Sequence, residues 1–266
     1  MPQFLSDGVM INYETEGEGD PILLIHGFAS NGRVNWVDTG WVRLLARAGR
    51  QVVIIDNRGH GRSGKLYETP PYATIKMAKD AKRLLDHLGF DRADVMGYSM
   101  GARIAAVLAI NYPEHVRSLI LAGLAENMIN GVPGDEAIAR ALEADSLEQI
   151  TDPQARAFRI FAENTKSDLR ALAACIRVSR QRLSVEELGQ IRARTLIAVG
   201  SRDDIAGAPE PLQDAIPGSE ILPVPDRDHM RTVGDRVYKE GVISFLDQNR
   251  HKEREFTEKA APSGAA

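Results

Sequence analysis

Short, continuous apolar runs alternate along this chain with longer segments whose apolar residues recur at helical spacing. Runs such as Ile22-Leu23-Leu24-Ile25, Val52-Val53-Ile54-Ile55 and Thr195-Leu196-Ile197-Ala198-Val199 are bounded by glycine, asparagine or aspartate. That pattern suits strands covered on both faces. Strands are predicted at 9–15, 22–25, 51–55, 94–97, 118–122, 195–199 and 219–224. Between them, 74–88 carries Ile75, Ala78, Ala81, Leu84 and Leu85 along one side, as an amphipathic helix does. A last helix is predicted at about 235–249. Strands alternating with helices predict an α/β fold, with a mostly parallel twisted sheet flanked by helices on both faces.

The alternation breaks once. Between 122 and 195 the chain reads as helices only, interrupted at Gly131-Val132-Pro133-Gly134 and at Thr151-Asp152-Pro153. Apolar residues such as Ile138, Leu142, Phe158, Phe161, Leu172 and Ile176 recur there at helical spacings. Most are expected to pack this segment onto the core and a minority to line a pocket. The segment is also rich in arginine, which reads as a solvated helix surface balanced by glutamates rather than as a site for an acidic substrate.

The chemistry concentrates at Gly97-Tyr98-Ser99-Met100-Gly101. This pentapeptide follows an apolar run and precedes the helix-favouring segment Ala102 to Ile110, so Ser99 falls on a strand-to-helix turn. A turn that sharp brings the residues before and after the serine together, and glycine at 97 and 101 avoids the collision. The geometry exposes the hydroxyl and aims the Met100 N–H toward whatever the serine attacks.

With this pentapeptide, four further segments make the chain resemble the α/β-hydrolase fold family from about residue 9 to 246, and in particular its serine carboxylesterase and lactonase members with a helical cap. In that resemblance, the His26-Gly27 pair after the second predicted strand implies that the Phe28 N–H joins that of Met100 in an oxyanion hole. Asp56-Asn57-Arg58-Gly59-His60-Gly61-Arg62-Ser63 matches a mostly structural turn after the family's fourth strand. Asp203, three residues past Gly200, occupies the place of the acid. His229, following the strand at 219–224, occupies that of the base. The chain order Ser99, Asp203, His229 is the order of this fold. Asp204, Glu126, Asp226 and Asp228 stand as rival carboxylates. Of the other histidines, His26 and His60 read as structural loop residues, His87 and His115 as helix-end surface residues, and His251 as part of a polar tail. Trp36 and Trp41 follow the oxyanion loop, with a place at the pocket border or in the core open to either.

The resemblance divides the chain into a core of 1–125 and 195–250 and a helical cap of 126–194 inserted after the sixth strand. A mobile tail at 251–266 is expected from its polar, then small-residue composition. The 266 residues suffice to bury a full sheet without disulfides or metals, and a formal net charge of −4 offers no basic field for nucleic acid. The single Cys175 excludes an internal disulfide and reads as a buried, inert thiol. No segment reaches the ~20 apolar residues that span a bilayer, and the N-terminus lacks a signal-peptide pattern, so a cytoplasmic protein is expected. The oligomeric state is left open.

The expected activity is hydrolysis of small carboxylic esters through an acyl-enzyme. It requires no metal or organic cofactor, because backbone amides stabilise the oxyanion. A serine nucleophile argues against the dehalogenases and epoxide hydrolases of the fold, which attack through an aspartate. A lactonase with the same triad is the nearer alternative. A non-catalytic small-molecule receptor on the same fold is the more distant one.

Overall fold

Strand pairing follows directly from the apolar runs. In the computed structural model, which describes residues 2–260, eight strands are present: β1 (Gln3–Ser6), β2 (Val9–Glu16), β3 (Asp20–Ile25), β4 (Arg50–Ile55), β5 (Ala93–Tyr98), β6 (Val116–Ala122), β7 (Arg194–Gly200) and β8 (Glu220–Val224). They form one sheet in the order β1-β2-β4-β3-β5-β6-β7-β8. β1 and β2 pair antiparallel, as do β2 and β4, and the remaining pairs are parallel. The sheet is that of an α/β-hydrolase fold. β1 was not anticipated from sequence. Only Phe4 and Ser6 of its four residues face inward, too short an alternation to stand out.

The helices are α1 (Trp41–Arg47), α2 (Thr74–His87), α3 (Met100–Asn111), α4 (Glu126–Asn130), α5 (Asp135–Glu143), α6 (Pro153–Asn164), α7 (Leu169–Ser179), α8 (Val185–Leu188), α9 (Glu210–Ala215), α10 (His229–Thr232) and α11 (Arg236–Ala260). Period-2 alternation within the strands splits the core in two. Leu23, Ile25, Val53, Ile55 and Val95 face α2, α3 and the inserted helices. Ile22, Leu24, Val52, Ile54 and Met96 face α1 and α11, against Trp36, Trp41, Tyr238, Val242 and Phe245. Both tryptophans are therefore core residues. They meet edge to face at 6.4 Å, and the Trp41 indole donates to the Val233 carbonyl at 2.7 Å.

α4 to α8 lie in the chain between β6 and β7. The last helix extends to Ala260, past the end expected at 249, because 250–260 hold neither glycine nor proline and consist largely of helix-compatible residues. Residues 261–266 of the expected mobile tail, and the His251 side chain, lie outside the described residues. No described helix is long and apolar enough to cross a membrane.

Two buried charge clusters tie the sheet to its surroundings. Asp94, at the start of β5, accepts from Arg50, from Arg117 at 2.7 Å and from Ser118 at 2.6 Å. Asp80 of α2 receives both arms of Arg58, at 2.7 and 2.8 Å. Each buried carboxylate is thus neutralised where desolvation would otherwise be prohibitive.

His26 and His60 form a different kind of pair, two neutral buried rings 5.2 Å apart. His26 Nδ1 donates to the Gly27 carbonyl at 2.8 Å, and its Nε2 accepts the Asn57 N–H at 3.0 Å. His60 Nδ1 donates to the Arg58 carbonyl at 3.0 Å. Burial, reinforced by His26, pushes His60 down to about 3, and burial lowers His26 as well. The unfolded chain takes up these protons near pH 6.5, whereas the folded protein does not. The His60 contribution is therefore complete above about pH 6.5 and is lost as pH falls toward 3, at up to about 1.4 kcal/mol per pH unit, with His26 acting in the same direction. Urea midpoints measured from pH 6.5 down to 4.5 are expected to fall, and less steeply in His60→Gln. Equal slopes in the two proteins would remove this role.

Candidate active site

Ser99 links the last residue of β5 to the first of α3. Its backbone has φ 56 and ψ −114, outside the regions that side-chain-bearing residues normally occupy. The turn holds because its neighbours have no side chains. A Cβ on Gly97 would fall on the Gly101 carbonyl, and one on Gly101 on the carbonyls of Ile25 and His26. The Ser99 N–H donates to the Ala122 carbonyl at 2.8 Å, which anchors the turn to β6. The strain is therefore held by the sheet, and the hydroxyl is only partly buried.

Three side chains meet at this turn. Ser99 Oγ lies 3.0 Å from His229 Nε2, and His229 Nδ1 lies 3.0 and 2.9 Å from the two carboxylate oxygens of Asp203. A carboxylate can only accept, so Nδ1 carries the hydrogen, and the Nε2 lone pair is left to receive the serine proton. Asp203 follows β7, its side chain fully buried, and its Oδ1 also accepts from the N–H groups of Ile205 and Ala206 at 3.0 and 2.9 Å. His229 opens α10, whose N-cap Asp228 accepts from Arg231. Tyr98, beside the serine, donates its hydroxyl to the His229 carbonyl and sets its ring 5.5 Å from the imidazole.

The rival carboxylates are occupied elsewhere or turned outward. Asp204 is exposed, Glu126 accepts from Ala208 and Asn130, Asp226 pairs with Arg202, and Asp228 caps α10. The sequence favours Asp203 over its neighbour Asp204, and the contact with His229 falls on Asp203. The two backbone N–H groups that orient Asp203 arise from the loop after β7.

Phe28, Ser99 and Met100 all border one cavity. The two strands involved are neighbours, with Ile25 registered against Gly97, so the loop after β3 runs beside the serine turn. Met100 is the first residue of α3, and its N–H has no partner within the helix. The Phe28 loop is braced from two directions. Asn35 Oδ1 accepts the Gly27 N–H at 3.1 Å, and Thr165, at the end of α6, donates to the Ala29 carbonyl at 2.8 Å. Ala29 itself has φ 57. Asn35, Tyr98 and Thr165 were not singled out from sequence, because each acts through a contact distant in the chain.

The cavity measures about 400 Å³. Its walls are mainly apolar, from Phe28 and Leu124 on the core side and Val132, Phe158, Phe161 and Ile176 on the inserted helices. Phe158 packs edge to face on Phe28 at 5.9 Å. Trp36 and Trp41 do not border it. Cys175 is fully buried, with its sulfur 4.0 Å from the Met100 sulfur, and burial pushes its thiol up to about 12, in keeping with an inert role. Among the described residues no cluster of side chains could hold a metal ion.

Comparison with known proteins adds an independent line. A family profile described as alpha/beta hydrolase fold matches residues 20–142. A Mycobacterium tuberculosis protein, provisionally named a non-heme bromoperoxidase, is 28% identical over 249 residues, or 83% of this chain and 92% of its own. An enol-lactonase of Burkholderia xenovorans LB400 superposes with a TM-score of 0.78 at 20% identity, covering 92% of this chain and 100% of that one. A carboxylesterase structure from Nitrososphaera gargenis superposes with a TM-score of 0.77 at 21% identity, covering 94% of this chain and 100% of the other. At such identities the structural likeness carries the fold and nothing finer. The profile match over residues 20–142, the superpositions and the sheet with its serine turn agree: the chain has the α/β-hydrolase fold.

Proposed function

We propose that this protein is a serine hydrolase that cleaves small carboxylic esters through an acyl-enzyme. The observation that carries the reading is the continuous line from the Asp203 carboxylate through His229 to Ser99 Oγ, ending at an apolar cavity. In this reaction Ser99 Oγ attacks the ester carbonyl while His229 Nε2 takes its proton. Asp203 holds the imidazole in the required tautomer and stabilises the cation that forms. The Phe28 and Met100 N–H groups receive the developing oxyanion, each such donor contributing about 2.7–4 kcal/mol in the transition state. His229 then returns the proton to the leaving alcohol, and water attacks the acyl-serine by the same path in reverse.

The inserted helices act as a cap, with Phe158 and Phe161 excluding water from the acyl group. Lactones present the same carbonyl chemistry and differ only in keeping the leaving alcohol attached. A receptor role would leave the Asp203–His229–Ser99 line without a use.

Turnover of p-nitrophenyl esters from acetate to octanoate, together with a few simple lactones, tests the reading beside Ser99→Ala. A cavity of about 400 Å³ is expected to favour short and medium acyl chains, with kcat/KM falling at octanoate. Equal turnover by wild type and Ser99→Ala on every ester would end the proposal.

A further inference from the structure

The cavity wall is mainly apolar, with scattered neutral polar residues such as Ser30, Asn35, Thr39 and Gln154, and its two arginines gather where α3 meets the end of α7. Arg103, Ser179 and Arg180 all border the cavity there. Arg103 lies one helical turn beyond Ser99 and is only 2% exposed. Its guanidinium donates to the carbonyls of Met128, Asn127 and Gln181, and among the described residues it makes no ion pair with a carboxylate. Arg180 donates to the Pro133 carbonyl at 2.8 Å and to Asp135 at 2.9 Å, and its guanidinium sits over the Phe158 ring at 5.8 Å. Ser179 is 1% exposed, and its hydroxyl, beside the Cys175 thiol one turn earlier, has no other hydrogen-bond partner.

The charges do not balance. Two guanidinium groups border the same mainly apolar cavity, and the one carboxylate paired with them, Asp135, is itself half-exposed. Burial, the repulsion of Arg180 and only partial relief from Asp135 lower Arg103 to about 10, still cationic at neutral pH. Leaving a buried charge without a counter-ion is costly. The other arginines of the insertion differ. Arg177 pairs with Glu136 and Glu143, Arg159 with Glu163, and Arg140 with Glu136, so these three arginines are balanced by glutamates.

We propose that the Arg103, Ser179 and Arg180 end of the cavity binds a carboxylate group of the substrate, so that the preferred esters or lactones are those of dicarboxylic acids. This deepens the hydrolase reading above and rests on it. A planar carboxylate suits the arginine fork and can also accept from a hydroxyl, whereas an alkyl end adds no negative charge to offset the two guanidinium groups. Phe28 and Phe158, which touch, line the cavity between the serine turn and Arg180, so a short methylene chain would lie against rings with its two carbonyl ends held apart.

The test compares monomethyl glutarate with its uncharged isostere methyl 5-methylhexanoate by pH-stat titration, with monomethyl succinate and adipate setting the spacing. Wild type is expected to favour the best monoester by more than tenfold in kcat/KM over the neutral ester. Arg180→Gln should lower that ratio at least tenfold, chiefly through KM, while Arg180→Lys retains part of it. Binding of free glutarate to Ser99→Ala, followed by calorimetry, should weaken at least tenfold when Arg180→Gln is added. This measurement needs no turnover, so it separates failure of the carboxylate end from failure of the hydrolase reading. Should Arg180→Gln not fold, the wild-type ratio and glutarate binding decide alone. A ratio at or below one, with no binding of glutarate, would overturn the proposal even if neutral esters are cleaved through Ser99.

Discussion

Ser99→Ala is expected to lower ester turnover by about 10⁴–10⁶-fold, the scale on which serine nucleophiles fail when their oxygen is removed. The loss should fall on kcat rather than on substrate binding, because the cavity walls and both backbone donors remain in place. Stability should change by less than about 1 kcal/mol. The Ser99 side chain is not needed for the turn, which is held by the Ser99 N–H to Ala122 and by the two flanking glycines. A fluorophosphonate should add its phosphonyl group to the wild-type protein at Ser99, read as a mass increase on the peptide containing that residue, and should leave Ser99→Ala unmodified. Labelling of the mutant, or turnover within tenfold of wild type, would show that another group performs the attack.

Asp203→Asn should cost about 10⁴-fold for a subtler reason. The Oδ1 atom of Asp203 already accepts two backbone N–H groups, so an asparagine would keep its carbonyl there and turn its amide NH₂ toward His229. His229 Nδ1 would then have to accept, moving the ring hydrogen to Nε2 and leaving nothing to take the Ser99 proton. The fold and the spacing of the three side chains would be nearly unchanged. Asp204→Asn and Glu126→Gln are the matched controls and should stay within about twofold of wild type, since neither reaches the imidazole. Equal losses in Asp203→Asn and Asp204→Asn would instead assign the acid to the loop as a whole.

Much of the fold was legible because its strands are buried on both faces and so appear as uninterrupted apolar runs. β1 escaped because a four-residue edge strand with two inward residues carries almost no periodic signal. The long α11 outran its expected end because polarity was read as a boundary, whereas helix formers without glycine or proline continue a helix whether or not it is covered. The arginines were legible only in number. Arg177 and Arg180 are three residues apart on one helix and its end, yet the first faces glutamates and the second faces the cavity.

What the sequence by itself determined is the serine turn, the order of serine, acid and histidine, and the alternation that builds a parallel sheet. These are local matters of glycine placement and apolar period, and they survive without knowledge of distant contacts. Only the tertiary structure decided which carboxylate reaches His229, that Asn35 and Thr165 brace the Phe28 loop, that both tryptophans belong to the core, and that one end of the cavity is cationic. Most of these depend on elements that are neighbours in space but far apart in the chain, such as β6 beside β7 or α3 beside the end of α7, and chain spacing carries no record of such pairings.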